Sequence, residues 1–222
     1  MKGKINYYWL LILIPVIFVG WYLLRVKEDK PITYLAYFGP KQALKINDTT
    51  YHFIPDFEFT SQFNQKVTQA DLKDKIYVTE YFFTTCQSIC PVMNTNLERV
   101  YAEFKDNPEF LIVSHTVDPE MDSVPVLLEY AKKHDVVSNK WLFLTGEKAK
   151  LYDIARKGYL LNAEEGTGDA DDFIHTQNFA LIDKEKHIRG FYDGTDSLEI
   201  NRLINEIKLL IKEYDYKKRI SN

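Results

Sequence analysis

Cysteine is scarce in this chain: only two, Cys86 and Cys90, occur in 222 residues. Two cysteines cannot define a disulfide scaffold of the kind that stabilises small secreted domains. The cysteine count therefore says little about the cellular compartment, and the placement of the pair carries most of the functional information. Internal repeats and extended low-complexity tracts are also missing, and the length suits one domain with an ample core.

An excess of basic charge is lacking as well. The formal net charge at pH 7 is −4, and residues 1–30 hold five of the 28 basic and two of the 32 acidic residues, which leaves −7 for the remainder. Nucleic-acid-binding domains present basic surfaces to the phosphate backbone. An acidic domain therefore argues against nucleic acid as a partner.

Charged side chains are absent from residues 7–24, YYWLLILIPVIFVGWYLL. Eighteen helical residues at ~1.5 Å each span ~27 Å, enough for a bilayer core, and aromatic residues at both ends resemble interfacial belts. A small-x-small cleavage site and a neighbouring cysteine are missing, which disfavours a cleaved signal peptide and a lipoprotein. We therefore predict one transmembrane anchor over residues 7–24, after a short basic N-terminus (1–6) and before a tether (25–45). Basic residues flank both ends, so charge does not decide the orientation.

The two cysteines lie at a predicted strand-to-helix junction. The apolar, β-branched and aromatic run from Ile76 to Phe83 predicts a buried strand. Cys86-Gln-Ser-Ile-Cys90-Pro91 follows, and then apolar residues at helical spacing. Pro91 suits the first turn of a helix, so the cysteines are expected at or just before its N-terminus. The free N–H groups and the helix dipole there favour a thiolate, which makes the pair reactive or suited to a soft metal.

The spacing of the cysteines leaves a metal site and a disulfide both open. If the intervening residues are helical, the two Cβ atoms lie ~5–6 Å apart on one helix face. A disulfide requires ~3.5–4.5 Å, so it needs a distorted turn, whereas a metal ion between the sulfurs tolerates the wider gap. Two cysteines that merely pack in the core are the less favoured reading, because packing does not call for this strand–CxxxCP–helix context.

Strands and helices alternate along the rest of the chain after a leading β-hairpin. This order favours a mixed α/β domain, in which functional sites lie at the carboxyl ends of the parallel strands. The predicted elements are a hairpin over 53–59 and 63–68, a parallel strand over 110–113, a helix over 124–134, a strand over 141–146, a helix over 148–157, a hairpin over 179–183 and 187–192, and a final helix from Asp196 to about Tyr214.

The strand followed by C-x-x-x-C-P resembles the Sco/SenC family, thioredoxin-fold copper chaperones of cytochrome c oxidase assembly. Two further segments are similar to that family: the run Val117-Asp-Pro-Glu-Met-Asp122 and the strand Trp141-Leu-Phe-Leu-Thr-Gly146. The resemblance covers residues 50–215. It implies a thioredoxin-like α/β domain over residues 46–222 that begins with a β-hairpin.

The resemblance also implies a ligand set, because Cys86, Cys90 and His175 match the copper-binding positions of the family. Two thiolates and one imidazole suit Cu(I) and also accept Cu(II). In ordinary thioredoxins the segment that here holds His175 carries a cis-proline, but this chain has no proline after Pro125. His115 stands where the family commonly has a small residue and is a weak candidate for an extra ligand.

Asp118 and Asp122 are candidates for a supporting role beside the metal. Their carboxylates would order the loops around the ion or contact a partner. A simpler interpretation is equally open, in which Asp118 begins a turn before a proline and Asp122 or Ser123 caps the following helix.

The function that the resemblance implies is that of a metallochaperone rather than an enzyme. The protein would be anchored in the bacterial cytoplasmic membrane with its domain on the outer, periplasmic side. It would support delivery of copper to the dinuclear site of cytochrome c oxidase subunit II. Because the cysteines must be reduced to bind metal, a thiol reductant is a further implied partner.

Two other functions compete with copper delivery. A thiol–disulfide oxidoreductase would use Cys86 or Cys90 as nucleophile and reduce the cysteines of a recipient protein. The CxxxC spacing and the missing proline speak against a strong general redox enzyme. A peroxidase of the same fold is disfavoured because the usual P-x-x-x-T-x-x-C arrangement is absent.

Overall fold

The chain alternates between strands and helices, and the structure, a computed structural model, describes residues 8–26, 34–45, 48–136, 138–161 and 176–221. Short 3₁₀ and π-helical turns follow β4 and α4 at Gln69–Leu72 and Ile154–Gly158. In chain order the elements are α1 (Tyr8–Val26), β1 (Lys41–Lys45), β2 (Asp48–Tyr51), β3 (Glu58–Ser61), β4 (Lys66–Thr68), β5 (Ile76–Phe82), α2 (Cys90–Phe104), β6 (Phe110–Thr116), α3 (Val124–Lys133), β7 (Trp141–Thr145), α4 (Lys148–Asp153), β8 (Asn178–Ile182), β9 (Ile188–Asp193) and α5 (Ser197–Ser221).

Within these described residues, seven strands form the main sheet in the order β4-β3-β7-β6-β5-β8-β9. Strands β5, β6 and β7 run parallel, while β8 pairs with β5 in the antiparallel direction and β9 pairs with β8 in the same way. The leading hairpin β3–β4 joins the sheet through β7. The predicted mixed α/β fold is confirmed, and β5 lies near the middle, where both faces are covered.

The two faces of β5 supply two separate hydrophobic cores. Ile76, Val78 and Phe82 pack with Cys90 and the inward faces of α2, α3 and α5. Tyr77 and other residues on the opposite face pack with α4 and the segment that leads into β3. This double burial explains why β5 reads as a continuous apolar run, as strands covered on both faces do.

The predicted helices are present with small differences at their ends. Helix α3 begins after Ser123, whose side chain makes no capping hydrogen bond. The predicted helix over 148–157 divides into α4 and the π-helical turn. At the start of α5, the Asp196 side chain accepts a hydrogen bond from the Leu198 N–H at 2.8 Å and so caps the helix. Glu199 in the first turn pairs with Arg202 at 2.5 Å.

The compact unit of the fold begins at Tyr34, so it includes residues 34–45 of the predicted tether. A buried guanidinium, that of Arg189, fastens this segment. It donates to the Leu35 carbonyl at 2.8 Å and the Ala36 carbonyl at 3.1 Å, and it pairs with Asp183 at 3.0 Å and Glu213 at 2.9 Å. Because burying an unpaired charge is costly, the Arg189 guanidinium needs its two carboxylate and two carbonyl partners at the same time.

This fastening point lies at the amino end of β5, far from the cysteines. Arg189 follows Ile188, which pairs with Ile182, and Ile182 pairs with Tyr77 near the start of β5. The cysteines follow the other end of β5. Seven residues at ~3.3 Å each separate the two edges of the sheet by roughly 20 Å.

Helix α1 lies in a separate unit, residues 1–33, and contains Pro15. Among the helices of the described residues, none combines the length and the apolarity needed to cross a membrane. The transmembrane anchor predicted for residues 7–24 is therefore not confirmed.

Candidate metal centre

The cysteine loop connects β5 to α2 at the carboxyl edge of the sheet. After the buried strand, the Cys86 N–H donates to the Phe83 carbonyl at 3.2 Å and so closes a tight turn. Residues 86–89 are irregular, and α2 begins at Cys90 with Pro91 in its first turn. The predicted placement of the cysteines at a helix N-terminus is confirmed. The intervening residues are not helical, so the Cβ separation expected for two cysteines on one helix face does not apply.

Both cysteines are free thiols, and they lie close enough for each to shift the pKa of the other. Cys86 is half-buried, whereas Cys90 is only 5% exposed and packs in the core below α2. The Ser88 hydroxyl lies 3.7 Å from the Cys86 sulfur. Two soft sulfur donors at one helix N-terminus, one of them half-exposed, form a pair that suits a soft cation such as Cu(I).

The environment divides the acidities of the two thiols. Burial alone would raise the pKa of Cys86, but hydrogen bonds from the Cys90 thiol and N–H and from Ser88 outweigh it and hold this pKa below its ordinary value. Burial raises the pKa of Cys90 to about 12, assisted by its hydrogen bond to Cys86 and by the negative charges of Cys86 and Glu80. Cys86 is therefore the thiol that ionises first.

Asp122 holds the cysteine loop against the next strand. Its fully buried carboxylate accepts hydrogen bonds from the Thr84 N–H at 3.3 Å, from the Thr84 hydroxyl and from the Thr116 hydroxyl. The side chain therefore turns inward and does not cap α3. The Asp118 carboxylate makes no hydrogen bond to the described part of the chain, although its backbone N–H binds Thr116 at 2.9 Å. Of the two predicted supporting aspartates, Asp122 is the one that contacts the cysteine loop.

A second buried carboxylate, Glu80, was not predicted as part of the site. The Ser114 hydroxyl donates to the Oε1 atom of Glu80 at 2.7 Å, and it accepts a hydrogen bond from the Trp141 indole at 2.8 Å. The Oε2 atom of Glu80 has no partner among the described residues. Burial raises the pKa of Glu80 to about 8 against the opposing effect of the Ser114 bond. The only signal in the sequence was one acidic residue inside an otherwise apolar strand.

His175 lies outside the described residues, so its position relative to the sulfurs stays a prediction. The described residues that follow it are placed at the cysteine edge, because β8 runs antiparallel to β5 and begins at Asn178. The Gln177 carbonyl accepts from the Gly194 N–H at 2.7 Å, and the Gly194 carbonyl accepts from the Asn96 side chain on α2 at 2.8 Å. Within the described residues, no group of three or more His, Cys, Asp or Glu could hold a metal ion.

His115 is separated from the cysteines by the sheet. Its ring is fully buried in the core on the opposite face of the sheet. The ring stacks on Tyr81 with the ring centroids 5.2 Å apart, and the centroids of Phe59, which it meets edge-on, and of Tyr159 both lie 5.4 Å away. Neither ring nitrogen has a partner among the described residues, and burial lowers the pKa of His115 to about 3. A role for His115 as an extra copper ligand beside the cysteines is therefore wrong.

Comparison with known proteins places this arrangement in a family. The SCO1/SenC family model matches residues 46–212, three quarters of the chain. The chain belongs to the SCO1/SenC family. A SCO1 protein homolog of Bacillus subtilis is 26% identical over 166 residues, which cover 74% of this chain and 86% of that one. The predicted family resemblance is confirmed.

Solved structures of Sco proteins share the fold. A SCO1/SenC family lipoprotein from Bacillus anthracis superposes with a TM-score of 0.64 at 25% identity and covers 72% of this chain and 95% of its own. BsSco is described as a member of the Sco family of cytochrome c oxidase assembly proteins, and a disulfide switch was identified in it. It superposes with a TM-score of 0.61 at 25% identity and covers 72% of this chain and 93% of its own. The thioredoxin-like α/β domain implied by the resemblance is therefore confirmed.

Copper has been seen in members of the Sco family. ScoI of Arabidopsis thaliana was solved with copper bound, and it superposes with a TM-score of 0.58 at 24% identity, covering 73% of this chain and 99% of that one. At this identity the likeness shows the fold alone. The donor chemistry of Cys86 and Cys90 in this chain is an independent reason to consider the same ion.

Proposed function

We propose that this protein is a copper metallochaperone that holds the ion on Cys86, Cys90 and His175. The observation that carries the proposal is the pair of free thiols at the N-terminus of α2, with Cys86 half-exposed to solvent. The bonds that join Gln177, Gly194 and Asn96 support a place for His175 near α2, because they fasten the segment directly after it. Copper is cargo here, and the exposed thiol gives a recipient's ligands a point of attack.

The recipient that we propose is the dinuclear copper site of cytochrome c oxidase subunit II. The support is family membership and the description of BsSco as an oxidase assembly protein. We further propose attachment to the outer face of a bacterial cytoplasmic membrane through residues 7–24, which contain no charged side chain. Resistance of the full chain to alkaline extraction from membranes would test the attachment, and release into the soluble fraction would contradict it.

Anaerobic titration of the reduced, detergent-solubilised full chain with Cu(I) tests the copper site. We expect one ion per chain, and we expect Cys86→Ser, Cys90→Ser and His175→Ala each to weaken binding at least tenfold. The matched control is His187→Ala, because His187 lies in the β8–β9 turn at the opposite edge of the sheet. Unchanged affinity in His175→Ala would remove that ligand, and failure of the wild type to bind copper would end the proposal.

A thiol–disulfide oxidoreductase is the second candidate, and the divided acidities of the two thiols favour it. A half-exposed Cys86 with a lowered pKa can attack a disulfide, and the buried Cys90 beside it can then resolve the mixed disulfide. A thiol reductant would have to regenerate the pair. Robust reduction of a recipient's disulfide by the wild type, together with copper affinity unchanged in His175→Ala, would favour this function over copper delivery.

A further inference from the structure

Large apolar side chains are exposed around the cysteine loop. Met121 is 60% exposed, Val92 48% and Val126 39%. They lie on the β6–α3 loop, in the first turn of α2 and in the first turn of α3 respectively. We call the surface formed by these three residues and the neighbouring Gln87 and Ser88 the thiol face.

Two side-chain contacts join α2 and α3, the helices that carry Val92 and Val126. The Asn94 side chain donates to the Tyr130 hydroxyl, and one turn further along, Glu98 meets His134 at 2.7 Å. The two helices therefore run side by side in the same direction. By the same spacing, Cys90 and Val126 occupy equivalent positions one turn nearer the two N-termini.

The hydrogen bonds from Thr84 to Asp122 bring the third apolar residue of the thiol face, Met121, towards the cysteines. Because the Asp122 carboxylate binds both the N–H and the hydroxyl of Thr84, the neighbouring Met121 stands next to the cysteine loop. The inward positions of the helices are filled by other residues, such as Met93 and Leu127, so the exposed side chains are not needed for the core.

The charged residues of the β6–α3 loop beside the thiol face, Asp118, Glu120 and Asp122, are all acidic. Residues 83–98 and 114–131, which build it, contain no lysine or arginine. Glu120 is exposed and Asp118 is half-exposed, whereas the exposed Glu129 pairs with Lys132 at 2.7 Å. A negative border of this kind attracts a cationic partner from solution and repels an acidic one.

We propose that the thiol face is a docking surface for a partner protein whose own cysteine is bordered by lysine or arginine and by apolar side chains. The proposal rests on the proposed function, because it names the chemistry of the protein that exchanges copper or a disulfide with Cys86. Opposite charge speeds the encounter, and the apolar contacts exclude water once the thiols meet. A second copy of this chain fits poorly, because both faces would carry negative charge.

The test uses two capped five-residue peptides as 2-pyridyl disulfides, Leu-Lys-Cys-Lys-Leu and Leu-Glu-Cys-Glu-Leu in sequence. The Cys86 thiolate attacks the peptide sulfur and a new S–S bond forms. Pyridine-2-thiolate leaves with the electron pair of the broken S–S bond, takes a proton from water and is detected as pyridine-2-thione. The reduced, copper-free full chain is used throughout. Reaction with neutral iodoacetamide corrects for any change in the intrinsic reactivity of the thiol.

We expect the basic peptide to react about tenfold faster than the acidic one at low salt, and this ratio to fall towards one at ~0.5 M salt. Asp118→Asn with Glu120→Gln should lower the ratio at least threefold. Met121→Ser with Val126→Ser should slow the basic peptide at least threefold without changing the iodoacetamide rate. The matched control pair is Asp215→Asn with Ile220→Ser, two exposed residues near the end of α5.

Equal rates for the two peptides in the wild type would overturn the proposal, as would equal effects of the control pair and the thiol-face pairs. The assay contains no copper, so it is independent of the metal titration. A chain that binds Cu(I) but does not discriminate between the peptides keeps its proposed function and loses the docking surface. A chain that discriminates between the peptides but binds no Cu(I) keeps the docking surface and loses its proposed function in copper delivery.

Discussion

The Asp122 carboxylate accepts hydrogen bonds from both the backbone N–H and the hydroxyl of Thr84, two residues before Cys86. It therefore joins the loop after β5 to the loop after β6 beneath the thiols. Thr116 donates to the same carboxylate from the end of β6. The shape of the cysteine loop thus depends on a residue that lies 36 positions away from Cys86 in the sequence.

Asp122→Ala should destabilise the fold by about 2–4 kcal/mol, because one buried and two part-buried donors lose their acceptor. We also expect weaker Cu(I) binding at temperatures well below unfolding, since the cysteine loop loses its support. Denaturant unfolding and metal titration measure the two effects. The matched control is Asp118→Ala, for which we expect a change of less than about 0.5 kcal/mol. Equal losses in the two variants would contradict the assignment.

Cys86 should be alkylated roughly tenfold or more faster than Cys90 by iodoacetamide in the reduced, copper-free protein near pH 7. The reasons are its greater exposure and its lowered pKa, whereas burial raises the pKa of Cys90 to about 12. Peptide mass spectrometry after timed quenching gives both rates. In guanidinium the two rates should become similar, and similar rates in the folded protein would refute the asymmetry.

His115→Phe should make the protein less sensitive to acid. The unfolded chain binds a proton at His115 near the ordinary pKa of 6.5, but the folded protein does so only near 3, so the free energy of unfolding falls as the pH drops through this window. Wild type should lose about 2–3 kcal/mol from this source between pH 7 and pH 4.5. Phenylalanine fits the aromatic surroundings and does not titrate. Parallel pH curves for the two proteins would contradict the prediction.

Glu80→Gln should act in the opposite pH direction. The ordinary pKa of this carboxyl is 4.5 and burial raises it to about 8, so between these values the unfolded chain releases a proton that the folded protein retains. The wild type therefore loses stability as the pH rises, and the variant should gain about 3 kcal/mol relative to it by pH 7. Glutamine still accepts the Ser114 bond. Denaturant unfolding at pH 5 and pH 8 measures the difference, and an identical pH dependence would exclude the effect.

Local patterns in the sequence were enough to predict the strand-to-helix junction. The apolar run indicates the strand, and Pro91, a few residues later, indicates the first turn of the helix. The fate of Asp122 was not predictable in the same way. Its position just before α3 suits a helix cap equally well. Only the approach of Thr84 in three dimensions shows that the Asp122 carboxylate binds the cysteine loop instead. Arg189 was missed for a similar reason, since its partners Leu35 and Glu213 lie at opposite ends of the chain.

The fastening of residues 35 and 36 to Arg189, at the edge of the sheet opposite the cysteines, has a practical consequence for handling the protein. A carrier or solid support joined on the amino-terminal side would meet the domain about one strand length from the reactive sulfurs. Immobilisation through that side should therefore leave the thiols free to exchange with reagents in the surrounding buffer.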